Sequence, residues 1–359
     1  MGDYPVIDID GHVFEQESMW EQYLESAYQE RRPRIALDNK GTERYLIEGR
    51  LWPTPEGRGA WAPEGIVKSG CRREGGYDPQ ARLKDMDMDG IDIAVLYGTT
   101  ALGFCWIEDA KLGTALCRAY NNWLADYCKT DPKRLKGVAS LPLQDMEAAL
   151  KEANRAVKEL GMVTLQIQTN AVGKNPDHPS YYPLYELAQD LDVSIGFHFG
   201  GGGAGVDRFV NNYVLAHACG FAFDTMLAMS TVLCGGVLEK FPQLRVAFLE
   251  AACGWAPYWI DRLDEHYEKR TTEMPNIKKK PSEYLQAGNC FITCDPDEEE
   301  VAHVVEVLGN NKIMFASDYP HWDALFPGAV AAISERDTLS DQAKRCILSE
   351  NAQRYLHLH

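Results

Sequence analysis

Val6-Ile7-Asp8-Ile9-Asp10-Gly11-His12-Val13 is a short apolar run broken at alternate positions by Asp8, Asp10 and His12. Val6, Ile7 and Ile9 predict a buried strand, because the run is too short to need a helical explanation. Alternate residues of a strand project from one face, so three ligand-type side chains would share a face within about 14 Å. Polar groups at the end of an apolar strand are costly to bury unless something pairs with them. A divalent cation is the simplest partner. The plainer reading is a turn that ends the strand at Asp10-Gly11 and leaves His12 in solvent.

Outward from this stretch, the chain alternates apolar strands with helical patterns. Strands are predicted at 91–96, 135–141, 162–167, 193–199, 244–249, 290–294 and 313–316. Helices are predicted at 79–87, 109–130, 146–160, 181–191, 221–241, 256–270, 298–308, 328–348 and 351–358. With the first strand this makes eight strands separated by helices, the pattern of parallel pairing and of an α/β fold closed into a (β/α)8 TIM-like barrel. No glycine-rich dinucleotide fingerprint follows any strand, which counts against an open doubly wound sheet. The 359 residues are read as a single barrel domain, 1–359, a length such barrels reach as one unit. Only residues 14–78 lack a period beyond a short helix near 19–31. They are rich in Gly, Pro and Trp and are expected to form an inserted lid over the substrate pocket. Trp52, Trp61, Arg72 and Arg73 are its candidate substrate contacts, and Arg208 is a further candidate anchor for a carboxylate.

Composition narrows the partners. The chain has 53 acidic and 36 basic residues, a formal charge of −17, which argues against nucleic acid and anionic membrane. Asp3 and Pro5 interrupt the start and no basic segment precedes the first strand, so no secretory leader is expected. No apolar run is expected to span a membrane. The ten cysteines form no C-x-x-C pair and are expected to be reduced, mostly buried thiols of a cytoplasmic protein.

Active-site groups of a closed barrel sit at the carboxyl ends of its strands. Here those ends carry Asp10 and His12 on the first strand, His198 on the fifth, Glu250 on the sixth, and Asp318 and His321 on the eighth. His217 begins the helix after the fifth strand and is either a capping residue or a further ligand. The run Gly200 to Gly203 lacks a following Lys-Ser/Thr and reads as a flexible connector.

Asp-x-Asp-x-His on strand one, His-Phe-Gly on strand five, Phe-Leu-Glu-Ala-x-x-Gly-Trp on strand six and Ser-Asp-x-Pro-His on strand eight resemble the amidohydrolase superfamily. The similarity is to its amidohydrolase-related branch, which includes aminocarboxymuconate semialdehyde decarboxylase and aromatic acid decarboxylases. The resemblance implies a divalent metal (zinc, manganese or iron) held by His12, His198 and Asp318, with Asp10 completing the set. It also implies a small-molecule substrate and a homo-oligomer, or a hetero-oligomer with a related subunit. One position departs from the pattern: Glu250 stands where the similar decarboxylases carry a proton-handling histidine on strand six. Glu250, His217 and His321 together would suit a second metal.

Three functions follow. The first is metal-assisted hydrolysis or non-oxidative decarboxylation of a small, carboxylate-bearing substrate, with Asp318, Glu250 and His217 as catalytic groups. The second is a dinuclear non-heme iron (Fe/Fe or Fe/Mn) oxygenase using one or two ions among Asp10, His12, His198, His217, Glu250, Asp318 and His321. The third is a metal-bound barrel with a structural role. A convergent ligand set under a lid counts against the third, and the first is preferred to the second.

Overall fold

A computed structural model describes residues 4–201, 203, 205–287 and 289–358. Gly202, within the glycine run, lies outside the described residues. The strands are β1 Ile7–Val13, β2 Arg34–Leu37, β3 Glu43–Ile47, β4 Arg50–Trp52, β5 Ile93–Gly98, β6 Leu135–Ala139, β7 Thr164–Gln168, β8 Ser194–His198, β9 Val246–Phe248, β10 Cys290–Cys294 and β11 Ile313–Phe315. Eight of them form one parallel sheet in the order β1-β5-β6-β7-β8-β9-β10-β11. The sheet curls round so that the chain after β11 meets β1. Asp318 N donates to Asp10 O (2.9 Å) and His12 N to Tyr319 O (2.7 Å). The result is the (β/α)8 barrel that the strand–helix alternation predicts. Ile7, Ile9, Val95, Val138, Ala247, Phe291 and Met314 fill its interior, while a larger apolar layer lies between strands and helices.

β1 does not keep strict alternation. Asp8 pairs with Ala94 but Gly11 with Leu96, so β1 carries one extra residue between them. A bulge of this kind redirects side chains. Asp10 and His12 therefore converge on the ligand cluster while Asp8 turns away from it, which corrects the expectation of three ligands on one face. The Asp8 carboxylate accepts from Ser317 N (2.9 Å) and Ser317 Oγ (2.6 Å), fastening β1 to the end of β11. Burial pushes its carboxyl up, against the hydrogen bond from Ser317 and the charge of Arg82. A Cβ on Gly11 would overlap the Arg82 guanidinium and fall 2.9 Å from Asp8 Oδ2, so glycine is needed for that approach.

Arg82 is itself 1% exposed, donates to His12 O (2.8 Å) and lies over the Tyr319 ring. Removing its charge leaves Asp8 buried beside no cation. Arg82→Met is expected to destabilise the fold by about 3 kcal/mol, measured by denaturant unfolding. A loss within experimental error would show that Asp8 does not depend on it.

The segment 14–78 contains the short helix expected near its start, at Glu17–Tyr23 with a 3-10 turn at Ser26–Arg31, and an antiparallel sheet that was not expected, β2-β3-β4. Tyr45, Phe14 and Ile66 form a small core beneath that sheet. Its strands are short, at four, five and three residues, too brief for a period to show. Arg44 is buried, pairs with Asp38 (3.1 Å) and donates to Trp61 O and Ala62 O, which fixes the backbone that carries Trp61.

The long helix Tyr213–Cys234 starts eight residues before the predicted 221, because Asn212 caps it by accepting from Leu215 N. His217 is thus inside the helix rather than at its first position. The segment Tyr213–Lys240 is long and apolar enough to cross a membrane by length and composition, which corrects the expectation that no run is. In this fold, 56% of its most apolar window is buried. Its outer side leaves Val214, Leu215, Phe223 and Leu227 exposed.

Candidate metal centre and its cavity

Asp10, His12 and His198 are fully buried at the carboxyl ends of β1 and β8. His12 Nε2 lies 3.4 Å from Asp10 Oδ1 and 3.3 Å from His198 Nε2. His198 Nε2 lies 2.9 Å from Glu250 Oε2, just beyond β9. The other ring nitrogens are anchored: His12 Nδ1 is 3.1 Å from Gly98 O, and His198 Nδ1 is 2.9 Å from Phe199 O. A carbonyl accepts only, so in the neutral rings each Nδ1 carries the proton and each Nε2 presents its lone pair inward. Anchoring of this kind is what a metal-binding histidine requires.

Asp10, His12, His198 and Glu250 form one set of four donors whose atoms lie within 4.8 Å of one another. A second such set joins His12 and Glu250 to Asp318 and His321. Both oxygens of Asp10, Oε2 of Glu250 and Oδ1 of Asp318 are buried without a hydrogen-bond partner. Orphaned buried carboxylate oxygens facing imidazole nitrogens fit a divalent cation. Glu250 and Asp318 are held with left-handed backbone, φ 49° and 53°, which costs free energy in a non-glycine residue and tends to occur at functional sites.

The geometry redistributes the predicted ligands. Glu250 joins Asp10, His12 and His198 in one set, while Asp318, which the resemblance assigns to the metal, lies 3.4 Å from His12 Nε2 in the other. His217 belongs to neither set among the described residues, a correction. Its imidazole stacks on Trp61 (ring centroids 5.3 Å apart) and faces Asp323, Nε2 to Oδ2 3.6 Å. Its ring also packs against Phe221 and Trp322.

Above the donors opens a cavity of about 400 Å³, a size suited to a small organic ligand. Trp52 and Trp61, the expected lid aromatics, line it with Phe199, Tyr213, Phe221 and Trp322. Glu250, His321, His217 and Asp323 supply its polar surface. Arg72 and Arg73 are exposed and do not line it, nor does Arg208. Arg73 is taken by Asp85 in a two-bond pair (2.9 and 2.8 Å) and packs over Phe326. The arginine that does line the cavity is Arg58, from Gly57-Arg58-Gly59. Its segment is clasped by Phe209 to Asn211: Gly59 N donates to Phe209 O and Asn211 N to Gly57 O, each 3.0 Å. An arginine between glycines in an aromatic-rich lid was the signal for it. Thr99, just past β5, was also missed, because the predicted strand stopped at Leu96.

Burial alone would raise the Asp10 carboxyl, but the His198 charge and the His12 imidazole beside it hold it down at about 2. Burial likewise works against the His198 charge, yet Asp10 and Glu250 push that imidazole up to about 10. Asp318 is held well above the carboxylate range by burial and by Glu250, Asp323 and Asp10. His321 is held well below its ordinary value by burial and by the neighbouring histidines. A cation would reverse these preferences by holding the carboxylates ionised.

In the cation-free protein, His198 raised from 6.5 to about 10 stabilises the fold fully at low pH, and this contribution is lost as pH rises through about 10. A metal must displace that proton. Affinity for a divalent cation is therefore expected to rise with pH, about tenfold per unit for one proton released. Calorimetric titration in two buffers of different ionisation enthalpy checks this. An affinity constant from pH 6 to pH 9 would contradict it.

The amidohydrolase family pattern matches residues 7–358. The chain is 30% identical over 285 residues to 2-amino-3-carboxymuconate-6-semialdehyde decarboxylase of Dictyostelium discoideum, covering 79% of this chain and 77% of that one. Its fold is shared with an amidohydrolase of Mycobacterium avium subsp. paratuberculosis K-10 (TM-score 0.82, 20% identical, 99% of this chain and 100% of that one). It is also shared with dihydroxybenzoic acid decarboxylase of Polaromonas sp. JS666, solved with manganese and the inhibitor 2-nitroresorcinol (TM-score 0.71, 22% identical, 99% and 97%). None of these three is described as an oxygenase. A barrel with histidine and carboxylate donors at its strand ends, matched along nearly its whole length, places this chain in the amidohydrolase family.

Proposed function

We propose that this protein is a metal-dependent, non-oxidative decarboxylase of a small aromatic or conjugated carboxylate. The observation that carries the reading is the buried, partnerless Asp10 carboxylate facing His12, His198 and Glu250 at the floor of an aromatic-walled cavity. The decarboxylases among its relatives, one of them solved with manganese, support it. They give the oxygenase reading no support.

Asp10, His12, His198 and Glu250 would hold the cation, which when bound would supply Lewis acidity at the cavity floor. Arg58 anchors a substrate carboxylate through its forked donors. Trp52, Trp61 and Trp322 flank the ring and keep water from the carbon that loses its carboxyl. That carbon needs a proton in place of CO2. Glu250 faces the cation, so the proton falls to His217, which lines the same cavity and is backed by Asp323 at 3.6 Å.

Incubating manganese-loaded protein with a panel of hydroxylated benzoates in D2O tests this. The expected result is CO2 release with one deuteron at the vacated ring carbon, slowed by His217→Gln. Substrate cleaved by water with its carboxyl intact would overturn the reading.

A further inference from the structure

His217 is held differently from the other imidazoles of the cavity. His12 and His198 each place Nδ1 on a main-chain carbonyl, at 3.1 and 2.9 Å, and His321 places Nε2 3.0 Å from Thr99 Oγ1. Among the described residues His217 has instead the contact with Asp323, at 3.6 Å, which is longer than a hydrogen bond. The second side-chain torsion of histidine is soft. The plane of such a ring is therefore set by what packs on its faces.

Four neighbouring rings do that here. Tyr213 and Phe221, one helical turn to either side, lie 5.5 and 4.4 Å away, and Trp322 meets the imidazole edge-on at 5.4 Å. Trp61 is stacked on it at 5.3 Å, with the planes 28° apart. Tyr213 and Phe221 belong to the same helix as His217 and travel with it. Trp61 comes from the lid, and it also meets Phe221 (5.8 Å, 30°) and the edge of Tyr213 (5.0 Å, 87°).

The backbone that carries Trp61 is fixed on both sides. Its N–H donates to Thr54 O (2.9 Å), and its carbonyl accepts from the buried Arg44 guanidinium (2.6 Å). The same guanidinium reaches Ala62 O (2.8 Å), and Ala62 is left-handed at φ 49°. Such a conformation costs free energy in a non-glycine residue and tends to occur at functional sites. Gly57 and Gly59 are clasped to Asn211 and Phe209, just ahead of the helix that carries His217. Lid and helix are thus joined twice, by main-chain hydrogen bonds and by the ring stack.

We propose that Trp61 is a positioning residue, whose indole holds the His217 imidazole in the plane that keeps Nε2 toward Asp323 while the ring lines the cavity. The effect on turnover rests on the reading of His217 as the proton donor; the placement of the ring does not. Trp61→Leu and Trp61→Met remove the flat face, and Trp61→Phe retains one.

These variants, His217→Gln and the double variant Trp61→Leu/His217→Gln would be compared in the manganese-loaded protein, with thermal unfolding to establish that each folds. Either Trp61→Leu or Trp61→Met alone suffices. Each is expected to lower kcat about tenfold, the scale of one aromatic stacking contact, and Trp61→Phe to recover most of the loss. In the His217→Gln background the Trp61 substitution should cost kcat nothing further, because a residue that acts through His217 has nothing left to place. A crystal structure of the Trp61 variant should show the imidazole turned away from Asp323. Equal kcat losses in both backgrounds, or a rise in KM alone, would overturn the proposal and leave Trp61 a wall of the cavity. An unmoved imidazole in the crystal would overturn it too. If the wild type decarboxylates nothing, the proton-donor reading falls, and the crystal structure alone decides whether Trp61 places the ring.

Discussion

Asp10→Asn is expected to lower manganese affinity by more than about a hundredfold and turnover by about a thousandfold. The substitution keeps the shape and removes one anionic donor from a site with no water to replace it, since Asp10 is 0% exposed. Changing a residue that merely orients a metal ligand costs about 10–100-fold in affinity, so losing the ligand costs more. The activity loss corresponds to about 4 kcal/mol, within the several kcal/mol a Lewis acid contributes to a developing charge. In the cation-free variant the His198 imidazole also loses the partner that raises it most, so its proton should come off at lower pH. Metal content and steady-state kinetics on the same preparation check the prediction. A variant that retains full metal and full turnover would remove Asp10 from the site.

Arg58→Met is expected to raise KM for a carboxylate substrate about thirtyfold and to change kcat little. A hydrogen bond to a charged group is worth about 2 kcal/mol, which is about thirtyfold in binding. On a substrate with a second carboxylate the anchor grips the one that is kept, so its loss weakens ground state and transition state together. Methionine retains the apolar length of the side chain, and the clasp between residues 57–59 and 209–211 is mostly backbone and stays in place. The same substitution should leave manganese content unchanged. A fall in kcat with unaltered KM would show that Arg58 acts on the reaction itself instead.

The barrel was legible because its signals are long and repeated. Each core strand is a short apolar run and each helix a sustained period, so chance errors at single boundaries did not disturb the count. The donors were legible for a related reason: Asp10, His12, His198, Glu250, Asp318 and His321 lie at or just past the carboxyl ends of apolar strands. What the pattern could not carry was direction. Alternation along β1 placed Asp8 with Asp10 and His12, and only the register against β5 reveals the bulge that separates them. His217 entered the ligand set as an imidazole near a strand end, whereas the Asn212 cap starts the helix at Tyr213 and places His217 one turn inside it. The lid sheet was hidden by strands of three to five residues. Within that lid, Arg72-Arg73 drew attention as an adjacent pair. Which arginine reaches the cavity depends on tertiary contacts, the Asp85 pair for Arg73 and the Asn211 clasp for Arg58.

Anomalous diffraction at the manganese edge from crystals of the reloaded protein tests the central claim most directly. A strong peak enclosed by Asp10, His12, His198 and Glu250, open toward the cavity walled by Trp52 and Trp61, is expected. Manganese bound only outside this cluster, with Asp10 still lacking a partner, would contradict it.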